Sequence, residues 1–117
     1  MNEKEQTYMD VTKKWMDETV NKQTFLTNDD RIDEANLEKI KYNIYDIFQK
    51  MFQRSKRIAK SEEEFIEMYL TFHQKIPNNW KSNYKHAKEE GSIDMYIEEI
   101  KLETANKIEQ LFRSLWS

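Results

Sequence analysis

The sequence contains one glycine, Gly91, and one proline, Pro77. A β-sandwich or barrel needs a turn about every 8–12 residues, and it uses Gly and Pro in those turns. The Rossmann fingerprint and the P-loop each require several glycines. The scarcity of both residues therefore excludes a many-stranded fold and both nucleotide-binding motifs, and it predicts an all-α protein.

The length of 117 residues fits one domain spanning residues 1–117. For a chain of 14.4 kDa, the expected solvent-accessible surface is roughly 21,000 Å² when unfolded and about 6,800 Å² when folded. The difference is large enough to form a core. Apolar residues make up 38% and charged residues 35%, against about 25% charged in an average domain. This balance indicates slender helices with wide polar faces.

Five helical segments are predicted from apolar periodicity and from residues that begin or end helices. They cover residues 3–22, 30–59, 61–75, 77–90 and 92–115, with a break over residues 24–30. Ser61 and Glu64 have the spacing of a capping box. Pro77 suits the first turn of a helix, and Gly91 suits the position just after a helix end.

The second segment has the widest apolar arc, so we expect it to lie at the centre and to contact more than one neighbour. The arc is formed by Leu37, Ile40, Ile44, Ile47, Phe48, Met51 and Ile58. Short connections favour antiparallel neighbours. We therefore predict an up-down helical bundle of four to five helices, with one arm broken at Pro77.

The composition indicates a cytoplasmic protein. The sequence has no cysteine, and residues 1–10 lack the apolar stretch of a secretory signal. No window is long and apolar enough to cross a membrane, so we expect no membrane partner. Low Ala and Gly with abundant Lys, Ile, Asn and Glu is typical of proteins encoded by AT-rich bacterial genomes.

No set of residues for catalysis or metal binding is visible in the sequence. The two histidines, His73 and His86, are too few for a three-histidine zinc site. The Glu-x-x-His motif of di-iron helical bundles does not occur, and no nucleophile-elbow pattern is present. We therefore expect neither enzyme activity nor a cofactor, and we assign no catalytic, cofactor-binding or metal residues.

Nucleic-acid binding is the alternative function. Phosphate contacts are expected from the basic end of the second segment, at Lys50, Arg54, Arg57 and Lys60. The same residues also complement the negative end of a helix dipole, which requires no ligand. The formal net charge of −3 provides no global attraction for nucleic acid.

Protein–protein interaction is the leading hypothesis, because several apolar residues fall outside the main stripes of their helices. We predict a regulatory module that binds another protein or a second copy of itself through an apolar helix face. The candidate partner surface consists of Ile66, Leu70, His73, Leu102 and Trp116.

Overall fold

The computed structural model describes the backbone of residues 2–90 and 94–116 and the side chains of residues 2–76 and 96–116. Four helices are present: α1 (Glu3–Asn28), α2 (Ile32–Ile58), α3 (Glu62–Glu90) and α4 (Asp94–Leu115). The described part of the chain contains no strand, which confirms the predicted all-α class.

Helix α1 extends past its predicted end at residue 22. Thr24 and Thr27 donate their hydroxyls to the carbonyls of Val20 (3.1 Å) and Gln23 (2.7 Å), one helical turn earlier. Bonds of this kind let threonine remain inside a helix, although the same residue type also caps helix starts. The predicted break over residues 24–30 is therefore wrong for residues 24–28, which belong to α1.

A short turn over residues 29–31 connects α1 to α2. Asp30 has a φ of 59°, in the left-handed region where Asp is one of the few non-glycine residues that are common. The N–H of Arg31 donates to the carbonyl of Leu26 (2.8 Å), which satisfies one of the free carbonyls at the end of α1. The turn therefore needs no glycine.

The start of α3 agrees with the sequence prediction, but its continuation does not. The N–H of Glu64 donates to the Oγ of Ser61 (3.1 Å), as expected of a cap. Helix α3 then continues through Pro77 to Glu90, so the predicted break at Pro77 is not confirmed. Pro77 has no N–H for the carbonyl of His73, and the helix tolerates this missing bond. The predicted helix end at Gly91 lies outside the described residues.

Helix α2 contacts each of the other three helices, as its wide apolar arc predicts, and α4 does the same. Aromatic contacts show the direction of its neighbours. Tyr8 and Trp15 of α1 contact Phe52 and Tyr45 of α2, respectively, so α1 and α2 are antiparallel. Along α3, Phe65 and His73 contact Phe52 and Phe48 of α2, which makes this pair antiparallel as well.

The core is an aromatic cluster centred on Tyr8, which is fully buried. Its ring stacks on Phe52 of α2 with centroids 4.0 Å apart. It also makes edge-to-face contacts with Tyr69 of α3 (5.7 Å) and Phe112 of α4 (6.3 Å). One ring of α1 thus contacts all three other helices.

Two tyrosine hydroxyls are buried inside this cluster and satisfy each other. The hydroxyl of Tyr8 is hydrogen-bonded to that of Tyr69 and donates to the carbonyl of Phe48 (3.4 Å). Each hydroxyl carries one proton, so Tyr69 is the donor in the Tyr8–Tyr69 bond. Burial raises the pKa of both phenols, which therefore stay neutral.

His73 belongs to the same core, where only 5% of the residue is exposed. Its ring stacks on Phe48 with centroids 4.1 Å apart and meets Tyr69 edge-on at 4.7 Å. Among the described residues its Nε2 atom has no hydrogen-bond partner. Burial, reinforced by the charge of Arg113, lowers the pKa of His73 to about 3, so its imidazole is neutral at pH 7.

We predict that acid destabilises the protein through His73. The folded-state pKa lies below the ordinary value of 6.5, so the unfolded chain binds the proton more tightly and stability is lost as the pH falls from about 6.5 towards 3. Between pH 7 and pH 5 this loss amounts to about 2 kcal/mol. Urea unfolding of wild type and His73→Phe at both pH values measures it. An equal change in the two proteins would contradict the assignment.

We also predict that Tyr8→Phe costs about 1–3 kcal/mol, because it leaves the Tyr69 hydroxyl buried without its acceptor. The double variant Tyr8→Phe with Tyr69→Phe removes both hydroxyls and is expected to lose less than the sum of the two single variants. Equilibrium unfolding of the four proteins measures this coupling. Simple additivity would show that the hydrogen bond contributes nothing.

Candidate functional site

The predicted partner surface does not form a single exposed patch. Ile66, Leu70 and Trp116 are partly buried against the core, and Leu102 is half-buried. His73 is buried and is not accessible to a partner. The buried line of α3 runs through Phe65, Tyr69 and His73.

Trp116 contacts Phe112 and Glu62, and its ring also meets Phe52 and Phe65 edge-on. Its ring stacks on Phe112 with centroids 4.5 Å apart. Its Nε1 donates to the carboxylate of Glu62 at 3.2 Å. Trp116 directly follows the end of α4, so these contacts fix that end against the start of α3.

The basic end of α2 is exposed, as predicted, but its residues differ in their partners. Lys50 pairs with Asp46 at 2.8 Å, and the hydrogen bond and charge of that carboxylate raise the pKa of Lys50. Arg54, Arg57 and Lys60 are exposed and form no ion pair within the described part of the chain. Three of the four predicted phosphate contacts are therefore unpaired.

A surface groove of about 550 Å³ lies where α1, α2 and α4 meet. We refer to it as the α1–α2–α4 groove. Its walls combine aromatic rings with lysine and glutamate side chains, and they are formed by Trp15, Glu18, Thr19, Asn21, Lys22, Phe25, Glu38, Lys41, Tyr45 and Lys107. Sequence reasoning missed this groove.

The spacing of the groove residues on α1 was a usable signal. Trp15, Glu18, Lys22 and Phe25 recur every three or four residues, which places them on one face of a helix. The signal was lost because Phe25 falls in the segment interpreted as a break. The contribution of Lys107 from α4 depends on tertiary packing and has no counterpart in local sequence.

Lys107 is the most unusual cation of the groove. Its Nζ lies 4.1 Å from the centroid of the Trp15 ring and 5.7 Å from that of Tyr45. It donates a hydrogen bond to the Tyr45 hydroxyl at 3.2 Å. Among the described residues no carboxylate lies within ion-pair distance of it. The aromatic faces stabilise this ammonium in place of a full counter-ion.

Burial and neighbouring charges shift the pKa values of both Lys107 and Tyr45. Burial lowers the pKa of Lys107, Glu18 partly offsets that shift, and the charge of Lys41 adds to it. Burial, with the charges of Glu18 and Glu38, raises the pKa of Tyr45 to about 12. Tyr45 therefore remains a neutral phenol that accepts the hydrogen bond from Lys107.

Glu38 forms ion pairs with the other two lysines of the groove, Lys22 and Lys41. It is 7% exposed, and its Oε1 lies 3.1 Å from the Nζ of Lys41 and 3.7 Å from that of Lys22. One carboxylate is thus shared by two ammonium groups. With three lysines against two glutamates, the groove is positive in a chain whose formal net charge is −3.

Phe25 is the exposed large apolar side chain that lines the groove, and it is 65% exposed. Val20 and Ile32 are 45% and 49% exposed, but neither is among the residues that line the groove. Phe25 is the most exposed of the large apolar residues that the structure describes.

Within the described residues no group of three His, Asp or Glu side chains is arranged to hold a metal ion. No described helix combines the length and apolar character needed to cross a membrane. Comparison with protein-family models, curated proteins and solved structures finds no match for this chain. The function is therefore argued from the geometry of the groove and its surroundings.

We predict that Lys107→Gln lowers the free energy of unfolding by at most about 1 kcal/mol, because an exposed cation–π contact contributes little. Lys4→Gln, which removes the same charge from an exposed position near the start of α1, is the matched control. Urea unfolding measures both. A loss of several kcal/mol in Lys107→Gln alone would mean that this lysine holds the fold together.

Proposed function

We propose that this protein is a small regulatory module that binds a partner protein through Phe25 and the adjoining α1–α2–α4 groove. The observation that carries this function is the 65% exposure of Phe25 at the edge of a groove already lined by Trp15 and Tyr45. Aromatic residues are enriched in the cores of protein interfaces. Leaving one in water without a partner brings no benefit to the isolated chain.

The surroundings of Phe25 support recognition of a protein. Buried aromatic residues at the centre of an interface contribute a large share of its binding energy. The lysine and glutamate side chains of the groove would provide the polar contacts that accompany such a centre.

The rigid support for this surface is the packed helical core. We propose that the four helices form an up-down bundle in one domain and that the protein acts in the cytoplasm. In this role it binds without catalysing a reaction and requires no cofactor. Self-association through the same surface is the simplest variant, and it would give a homodimer.

Site-specific crosslinking tests the proposed function. A photoreactive phenylalanine at position 25 is expected to form covalent adducts with one or a few defined proteins in the native cell, or with a second copy of the chain. Gln110, an exposed residue of α4, is the control position. Excess wild-type protein should compete the adducts away, whereas Phe25→Ser protein should not.

Analytical ultracentrifugation of the purified chain separates self-association from binding to another protein.

The same crosslinked adducts from positions 25 and 110, or none from position 25, would contradict an interaction surface at Phe25. Phe25→Ser is expected to change the free energy of unfolding by about 0.5 kcal/mol or less, because exposed substitutions seldom matter for stability. Loss of adducts in that variant then reports on binding.

The unpaired cations of α2 favour a second candidate function, nucleic-acid binding. Arg54, Arg57 and Lys60 are exposed without an ion pair among the described residues. If they contact phosphates, the affinity for DNA or RNA falls with salt on a log–log plot. The double variant Arg54→Gln with Arg57→Gln is then expected to reduce the slope by about two. Absence of salt-sensitive binding to duplex and single-stranded probes would dismiss this function.

A further inference from the structure

We propose that the α1–α2–α4 groove receives an acidic, apolar segment of the partner protein, with a partner carboxylate on the ammonium of Lys107 and a partner apolar side chain against Phe25. This identity of the docking segment rests on the proposed function. It specifies the chemical class of the partner segment. In this arrangement Lys107 binds the carboxylate and Phe25 contacts the apolar side chain.

The geometry of Lys107 supports the carboxylate contact. An ammonium group has three N–H donors, and among the described residues the Tyr45 hydroxyl, at 3.2 Å, is the one hydrogen-bond acceptor of Lys107. The Trp15 ring, 4.1 Å from Nζ, holds the group in position without consuming a donor. A carboxylate entering the groove would therefore meet an exposed ammonium that is already oriented, and the two would form charge-assisted hydrogen bonds.

The other charges of the groove favour the same sign of ligand. Lys22 and Lys41 share the single carboxylate of Glu38. Glu18 weakens the positive potential at Lys107 but lies beyond ion-pair distance of it. The positive charge that remains is local, because the whole chain carries −3. Charge complementarity thus selects an acidic partner segment over a basic one.

The exposure of Phe25 indicates that the partner segment also carries an apolar side chain. Phe25 is mostly exposed, and it lines the same groove as Lys107. A simple anion such as phosphate would leave this ring in water, whereas an aromatic or aliphatic side chain would cover it. The volume of about 550 Å³ lies in the range of ligand sites and exceeds what one carboxylate fills.

Matched fragments test this chemistry before the partner is known. The full-length protein, labelled with ¹⁵N, is titrated with 3-phenylpropionate, with its neutral analogue 3-phenylpropanamide, and with inorganic phosphate. We expect saturable shifts at Trp15, Tyr45 and Lys107, with the carboxylate about fivefold tighter than the amide, a difference of about 1 kcal/mol. Phosphate alone is expected to bind more weakly than phenylpropionate.

Substitutions assign the preference to one residue. Lys107→Gln is expected to bring the affinities for the carboxylate and the amide to within about twofold of each other. Lys4→Gln removes the same charge elsewhere and should leave the fivefold preference unchanged. Equal affinity of the two fragments for wild type, an unchanged preference in Lys107→Gln, or no saturable shift up to about 20 mM would overturn the inference.

Crosslinking distinguishes failure of this inference from failure of the proposed function. The partner peptide joined to position 25 is expected to carry Asp or Glu within about one helical turn of an aromatic or aliphatic residue. Adducts on a peptide without an acidic residue would preserve the interaction surface and overturn the acidic segment. Fragment binding without any protein adduct at position 25 would overturn both, because the groove would then serve a small anion.

Discussion

The packing of the Tyr8 ring is the interaction on which the rest of the structure depends. Tyr8 of α1 stacks on Phe52 of α2 and meets Tyr69 of α3 and Phe112 of α4 edge-on, so one buried ring joins four helices. Its hydroxyl is satisfied by Tyr69, which removes the main cost of burying a phenol. Among the described residues, the backbones of α1 and α3 do not come close to each other. The contact between Tyr8 and Tyr69 therefore joins these two helices.

The candidate site follows from the same geometry further along α1. Trp15 lies about two helical turns after Tyr8, and its ring contacts Tyr45 of α2. At this level α4 presents Lys107 to both rings, where an apolar residue would have extended the core. A cation held by aromatic faces keeps this region open to solvent. The groove therefore borders directly on the core through Trp15 and Tyr45.

Several features were predictable from the sequence because they depend on local chemistry. The scarcity of Gly and Pro predicted helices, Ser61 predicted the cap of α3, and the wide arc of α2 predicted that it contacts more than one neighbour. Other features depend on competing local options of similar energy. Thr24 and Thr27 fit a helix as well as a cap, and helix α3 tolerates Pro77. The periodicity of α3 likewise could not show that His73 lies between Phe48 and Tyr69.

By itself, the sequence determined that the chain is helical, where α3 begins and which helix has the largest apolar face, because propensity, capping and periodicity act over one or two turns. Only the tertiary structure decided that His73 is buried, that Trp116 is held by Phe112 and Glu62, and that Lys107 meets Trp15 and Tyr45. Apart from the Trp116–Phe112 pair, those contacts join residues that are far apart in the chain, and no local pattern encodes the angle at which two helices pack. The candidate site consists of such contacts, so it became visible only when the helices were placed together.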